Sequence, residues 1–191
     1  MEMVRIAGGL SESEFAAAPR MFTNINSSSP LKHDYPMLDG AMRLARKGQP
    51  VIVTPFTLSG AMAPVTLPGA VMQQTAEALA AIVLLQIVNP GTPVVYGCFT
   101  SNVDMRTGAP AFGTPEFIRA TQMSGQMARF YGLPLRSSNA CAAQYPGLAV
   151  RLGECVFSMG VCVIPYQHRL PRGGVAGRRV VCQLRKICDG L

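Results

Sequence analysis

PVIVTPF at residues 50–56, AVMQQTAEALAAIVLLQIV at residues 70–88 and TPVVYGCFTSN at residues 92–102 together decide how this chain folds. The two outer runs are rich in β-branched residues and almost unbroken in apolar character, as strands are when a parallel sheet is covered on both faces. The run between them is dominated by good helix formers, with Gln73, Gln74 and Glu77 near its start and Asn89-Pro90-Gly91 at its end. Pro68-Gly69 precedes it. The order is therefore strand, helix, strand, and a crossover helix of this length lays the second strand parallel to the first.

The same pattern recurs downstream. Gly113-Thr114-Pro115-Glu116 reads as a helix start, with Thr114 as N-cap, Pro115 at the first helical position, and FIRATQMSGQMARFY (117–131) as the helix body. Gly132 stands where a left-handed C-terminal cap belongs and Pro134 just beyond it, before a third short strand in LPLRSSNA (133–140). Strand starts at Pro50, Thr92 and Leu133 are spaced by roughly forty residues, which suits successive βα units with sizeable loops, an α/β class fold. Upstream, residues 1–48 read as a short helix, an irregular connection marked by Pro19, Ser27, Ser28, Ser29 and Pro30, and a helix over 37–47. Asp34 or its turn caps that helix and Gly48 ends it. His33-Asp34 is open to two readings, an acid/base pair or an exposed loop and cap pair.

A chain of 191 residues with 49% hydrophobic content can build one core. No N-terminal signal pattern is present, and the most apolar run, 78–88, is too short for a bilayer and contains Gln86, so a cytoplasmic protein with no membrane role is expected. The net charge of +7 is unevenly spread: residues 1–147 carry ten Lys/Arg and eight Asp/Glu, whereas 148–191 carry seven Lys/Arg against Glu154 and Asp189. Cysteines divide at the same place, Cys98 and Cys141 before it and Cys155, Cys162, Cys182 and Cys188 after it. Their spacing matches no zinc pattern, so free thiols and no metal site are expected.

In parallel α/β folds ligands sit at the carboxyl ends of the strands. Those positions here hold Thr54, Phe56, Thr57 and Ser59, then Thr100, Ser101, Asn102 and Asp104, then Ser137, Ser138 and Asn139. Small hydroxyls and amides converging there, with Phe56 and Phe99 beside them, would build a polar cup with aromatic walls. The cup holds no cysteine/histidine pair and no paired carboxylates, so no catalytic residue is assigned and its chemistry is positioning. Each Ser, Thr or Asn is equally readable as a turn residue. Asp104 could face a cationic substrate or pair with Arg106. No glycine-rich phosphate loop of the usual kind is present, which disfavours a phosphate ligand.

INSSSPLKHD (25–34), GQPVIVTPFTLSGAMAPVTLPGA (48–70), QQTAEALA (73–80), GTPVVYGCFTSNVDMRTGAPAFGTPE (91–116) and YGLPLRSSNACA (131–142) resemble consecutive blocks of the trimethylamine methyltransferase family. The similarity covers about residues 24–146. It implies a (β/α)8 TIM barrel that moves a methyl group from a methylated amine to the cobalt of a separate corrinoid protein. No cofactor would then be bound permanently; the corrinoid is presented by the cognate partner, and its cobalt is itself the nucleophile. Family members acting on trimethylamine carry pyrrolysine, whereas relatives without it act on quaternary amines such as glycine betaine. No such letter occurs here, which favours the second branch. The resemblance makes Thr54, Phe56, Ser59, Thr100, Asn102, Asp104, Ser138 and Asn139 the substrate-facing candidates.

From residue 148 onward the family text stops and a shifted reading frame accounts for the change. QLRKICD (183–189) can be encoded so that the same bases, read one base later, give Ser-Phe-Glu-Lys-Phe-Val, text like that with which the family continues. Windows at 149–157 and 173–178 behave alike at the same offset. The expectation is a partial barrel of about three βα units over 1–147 and a basic, non-family tail over 148–191. A homo-oligomer is compatible with it and a specific nucleic-acid partner is not expected. The alternative function is an inactive truncated fragment with at most anion or RNA binding through its basic tail.

Overall fold

The computed structural model describes residues 1–138. In chain order these form α1 (Glu2–Ala7), α2 (Glu12–Ala17), β1 (Thr23–Ile25), α3 (Tyr35–Arg46), β2 (Val51–Val53), β3 (Leu58–Ser59), α4 (Leu67–Val88), β4 (Val94–Gly97), β5 (Ser101–Asn102), α5 (Pro115–Phe130) and β6 (Leu135–Arg136). The main sheet runs β1-β2-β4-β6, every pair parallel. Its strands therefore lie side by side in the order of the chain, each joined to the next through one of α3, α4 and α5. The mixed α/β class is as expected; Asn139 and the tail over 148–191 lie outside the described residues.

β1 corrects the reading of its segment as irregular connection. Thr23-Asn24-Ile25 is too short to show a period, and only its neighbour makes it a strand: Thr23 N donates to Pro50 O at 3.3 Å and Thr54 N to Ile25 O at 2.8 Å. Three βα units and a fourth strand are thus present. The sequence-marked helix ends fall where their chemistry put them. Thr114 Oγ1 accepts from Phe117 N at 3.3 Å as the N-cap of α5, and Gly132, at φ 66°, takes the left-handed turn after it. Asp34 occupies the N-cap position of α3 but makes no side-chain capping bond.

One face of the sheet carries the core. Ile25, Val51, Val53 and Tyr96 pack with Ala41, Leu44 and Ala45 of α3, Ala78, Ala81, Ile82 and Leu85 of α4 and Ala128 of α5, and Leu135 joins them from β6. All three helices therefore cover the same face. Helix α4 is 22 residues long and by length and composition alone could cross a membrane, which corrects the shorter apolar run read from the sequence. Its Gln74, Thr75 and Glu77 are buried in bonds to other elements, and its apolar side packs on the sheet, as a core helix does. Met72, Val83 and Ile87 leave an apolar outer stripe.

The short pair β3 and β5 prolongs β2 and β4. Val51 lies opposite Val94 and Leu58 opposite Ser101, the same offset of 43 residues. The two chain segments thus keep one register through the intervening residues. At the other end of the fold, buried Gln49 ties the N-terminal segment down: its Oε1 accepts from Arg20 N at 2.8 Å and Met21 N at 3.2 Å, and its Nε2 donates to Phe15 O at 2.8 Å. Ser11 and Glu14 form a capping box at the start of α2.

Candidate functional site

Side chains alternate between the faces of a strand, so the residues between the core positions point the other way. In β1 these are Asn24 and the following Asn26, in β2 Ile52 and then Thr54, in β4 Val95 and Gly97, and in β6 Arg136. Thr54 Oγ1 donates to Asn24 Oδ1 at 2.6 Å, and Asn24 Nδ2 to Asn26 Oδ1 at 3.2 Å, which fixes these three on one face. Gly97 lies beside Thr54 on that face, so close that a Cβ there would fall 2.0 Å from Thr54 Oγ1. Arg136 lies opposite Gly97 on the next strand.

The constant register carries the alternation past the strand ends. Phe56 and Phe99 are again 43 residues apart, and their ring centroids lie 5.2 Å apart. Phe112 closes on both, at 6.4 and 5.2 Å, and buried Phe117 backs the cluster at 5.8 Å from Phe112. Phe56, Phe99 and Phe112 are half-buried. Thr57 and Thr100, one residue on, turn to the opposite side, where their hydroxyls bond each other and Thr100 donates to Gln74 Oε1. Gln74 Nε2 donates to Tyr96 Oη at 2.8 Å and Ser124 Oγ at 3.0 Å. This buried network joins α4, α5 and β4 behind the sheet, and burial pushes the Tyr96 phenol up from its usual value while Thr75 and Gln74 oppose the shift.

The expected cup is therefore divided. Thr54 and Phe56 lie on the open face and Thr100 spends its hydroxyl in the core network. Ser59, buried, and Asn102 stand opposite each other in β3 and β5. Asn102 Oδ1 accepts from Thr114 Oγ1 at 2.7 Å, which holds the start of α5. Asp104 is exposed, and its carboxylate accepts from Arg106 N at 2.9 Å and Thr107 Oγ1 at 3.0 Å; the first of these bonds, then the second, keeps it below the usual carboxylate range. It is the Arg106 backbone, not its guanidinium, that Asp104 meets. Ser138 is half-buried, two residues beyond Arg136, and Asn139 lies outside the described residues.

Sequence reasoning passed over Asn24, Asn26 and Arg136, for which strict alternation in TNIN and LPLR was the available signal. It also missed Glu77. Burial pushes that carboxyl up, but bonds from Ser27, Leu31 N, Ser29 and Gln73 outweigh it and hold Glu77 below its ordinary value. His33 Nε2 meets the Glu77 carbonyl at 2.9 Å, so His33 serves the same anchorage and is not paired with Asp34. Glu77 thereby pins the loop that leaves β1 over the carboxyl end of the sheet. Cys98 is buried behind the sheet, and burial pushes its thiol up to about 11, which leaves it a poor nucleophile.

A family model described as trimethylamine methyltransferase (MTTB) matches residues 1–159. The chain is 44% identical over 119 residues to the glycine betaine methyltransferase of Desulfitobacterium hafniense (strain Y51), across 62% of this chain and 25% of that protein. It is 40% identical over 122 residues to the proline betaine:corrinoid methyltransferase of Eubacterium limosum, across 64% and 25%. To the trimethylamine methyltransferase MttB2 of Methanosarcina mazei it is 34% identical over 133 residues, across 70% and 27%. The chain spans about a quarter of the length of these curated relatives.

Proposed function

The chain belongs to the trimethylamine methyltransferase family, and from that membership we propose that its open sheet face holds a methylated amine for methyl transfer to the cobalt of a partner corrinoid protein. The observation that carries this reading is the placement of Thr54, Phe56 and Phe99 together at the carboxyl ends of parallel strands, the place where such folds keep their ligands. Four strands in chain order, with α3, α4 and α5 on one face, are what an arc of a (β/α)8 barrel would present. The open face is then the barrel interior.

The partner's corrinoid would supply the nucleophile, and the departing amine would keep the electron pair of the broken C–N bond. What this chain contributes is orientation and exclusion of water. Phe56, Phe99 and Phe112 would offer ring faces to a methylated ammonium nitrogen, which is attracted to an aromatic face by about 0.5–2 kcal/mol. Thr54, held by Asn24, fixes the floor. Ser59 and Asn102 in the short pair β3 and β5, Asp104 and Ser138 are kept as candidate residues around it, Thr100 as support from behind, and Asn139 as a candidate from the sequence alone.

The test is to mix the 191-residue chain with a reduced corrinoid protein and a methylated amine and follow the methyl-cobalt absorbance. Methyl transfer that falls when Phe56 or Phe99 is replaced by Ala supports the reading. A second reading, binding without turnover, is favoured by the outer sides of β1 and β6, which have no strand partner among the described residues. It is the correct one if amine binds and no methyl-cobalt forms.

A further inference from the structure

Helix α4 packs against α3 on one side and α5 on the other, and its outward side differs from theirs. Pro68, Met72, Ala76, Ala80, Val83 and Ile87 recur there at three- and four-residue spacing and are exposed, Met72 at 70% and Ile87 at 74%. The one charged residue of α4, Glu77, is buried, so this ridge runs without charge for roughly 28 Å. By contrast α3 exposes Arg43 and Arg46, and α5 exposes Glu116, Arg119 and Arg129. An apolar strip between charged margins has the anatomy of an interface, and a helix apolar outside as well as inside is normally covered on both sides. Beside the ridge a groove between α4 and α5 is lined by Val71, Leu79, Met123, Met127 and Tyr131. Its methionines can adapt to what enters it. With described helices on both sides of α4, the cover of this ridge is not the next βα unit of the same sheet, whose place is beside α5.

We propose that the α4 ridge is a self-association surface, on which a second copy of this chain lays its own α4 antiparallel, about a two-fold axis passing between Ala76 and Ala80. Self-complementarity singles out the second copy. The axis sets Ala76 against Ala80 of the partner subunit, small on small, so the two helices approach to about 8 Å. Met72 then meets Val83 of the partner subunit, and Pro68 meets Ile87 of the partner subunit, bulk beside bulk at both ends of the contact. A charged partner surface would be buried here without a counter-charge, whereas a second ridge brings none. Ridge and groove together are about two helix diameters wide, on the order of 600 Å² in projection, and a rugged surface buries more than its projection; a standard interface takes about 800 Å² from each partner. The surface lies on the helix side of the sheet, away from the open face, so it does not depend on what that face binds.

Sedimentation velocity of the 191-residue chain over a range of concentrations tests it, and a reversible monomer–dimer equilibrium is expected. Ala76→Glu, at an exposed helix position, puts two like charges into the contact and should weaken pairing at least about a hundredfold. Gln126→Glu, on the exposed polar side of α5, should leave pairing unchanged. Circular dichroism checks the fold of both variants. A second measurement needs no variant: peroxide oxidation of Met72, read by mass spectrometry against Met105, which is 82% exposed and remote from the ridge. Met72 should be slowed about tenfold relative to Met105 when roughly nine chains in ten are paired, and should lose that protection on dilution, because only the open form reacts. A chain that stays monomeric at every concentration, or association that Ala76→Glu leaves intact, overturns the assignment. So does Met72 protected equally at all dilutions, which would mean that residues 139–191 of the same chain cover the ridge. Flotation of the monomer with phosphatidylcholine vesicles, abolished by Ala76→Glu, would assign the ridge to a lipid surface instead.

Discussion

At Gly97 the backbone of β4 approaches β2 so closely that a methyl group would meet Thr54 Oγ1 at 2.0 Å, its Cβ at 2.7 Å and its Cα at 2.8 Å. Gly97→Ala is therefore expected to lower stability by about 1–3 kcal/mol in urea unfolding, the usual cost of overpacking. Trimming Thr54 to Ala should not restore it, because the contacts to Cβ and Cα remain; full rescue would show that only the hydroxyl was crowded. Glu77 gives a prediction with a pH signature. Its native pKa is depressed, so its contribution is complete above the ordinary value of 4.5 and is lost as pH falls through the lower native value. Glu77→Gln should cost about 1–3 kcal/mol at pH 7, through a lost acceptor for Ser27, Ser29 or Leu31, and should flatten the loss of stability below pH 4.5. An unchanged acid limb, measured by urea unfolding at several pH values, would show that other carboxylates govern it.

Among elements, α2 depends on a residue outside it. Gln49 meets Arg20 N, Met21 N and Phe15 O, so Gln49→Ala takes the partner from three backbone groups, of which the Phe15 carbonyl is buried, and should release residues 11–21 before the rest of the fold. Native-state hydrogen exchange should show amides 15–21 opening early in the variant; uniform protection would refute the tie. Helix α5 starts on Thr114, which both accepts from Phe117 N and donates to Asn102 Oδ1. Thr114→Ala should cost about 1 kcal/mol through the lost cap, with a further loss because Asn102 is left unpaired. Helix α5 itself was legible in sequence because cap, proline and Gly132 are local chemistry. Strand β1 was not, because its pairing lies with β2.

For the whole molecule, the charge and cysteine content change together after residue 147, and the family match extends to residue 159. The bases encoding 148–191, read one base later, are expected to encode a near-neutral, tryptophan-containing continuation of the family pattern. Sequencing the coding DNA decides it, and stop codons scattered through that frame would refute it. The parallel sheet in chain order leaves β1 and β6 with one strand partner each among the described residues.

The sequence by itself determined the elements whose signals are local. Val51 to Val53 and Val94 to Gly97 carry unbroken apolar character, 70–88 carries helix propensity without interruption, and Thr114-Pro115 carries a cap, so βα units and the class followed from neighbours in the chain. It also marked the family through blocks at 25–34, 48–70 and 91–116. Tertiary structure alone decided which hydroxyls reach the open face. Thr54 and Thr100 read alike as polar residues after apolar runs, and one register, 43 residues between partners, sends Thr54 outward beside Gly97 and Thr100 inward to Gln74. Asn24 and Arg136 became site residues only when β1 and β6 paired at the two sides of the sheet, because a side chain's face is set by strand partners and helices far away in sequence.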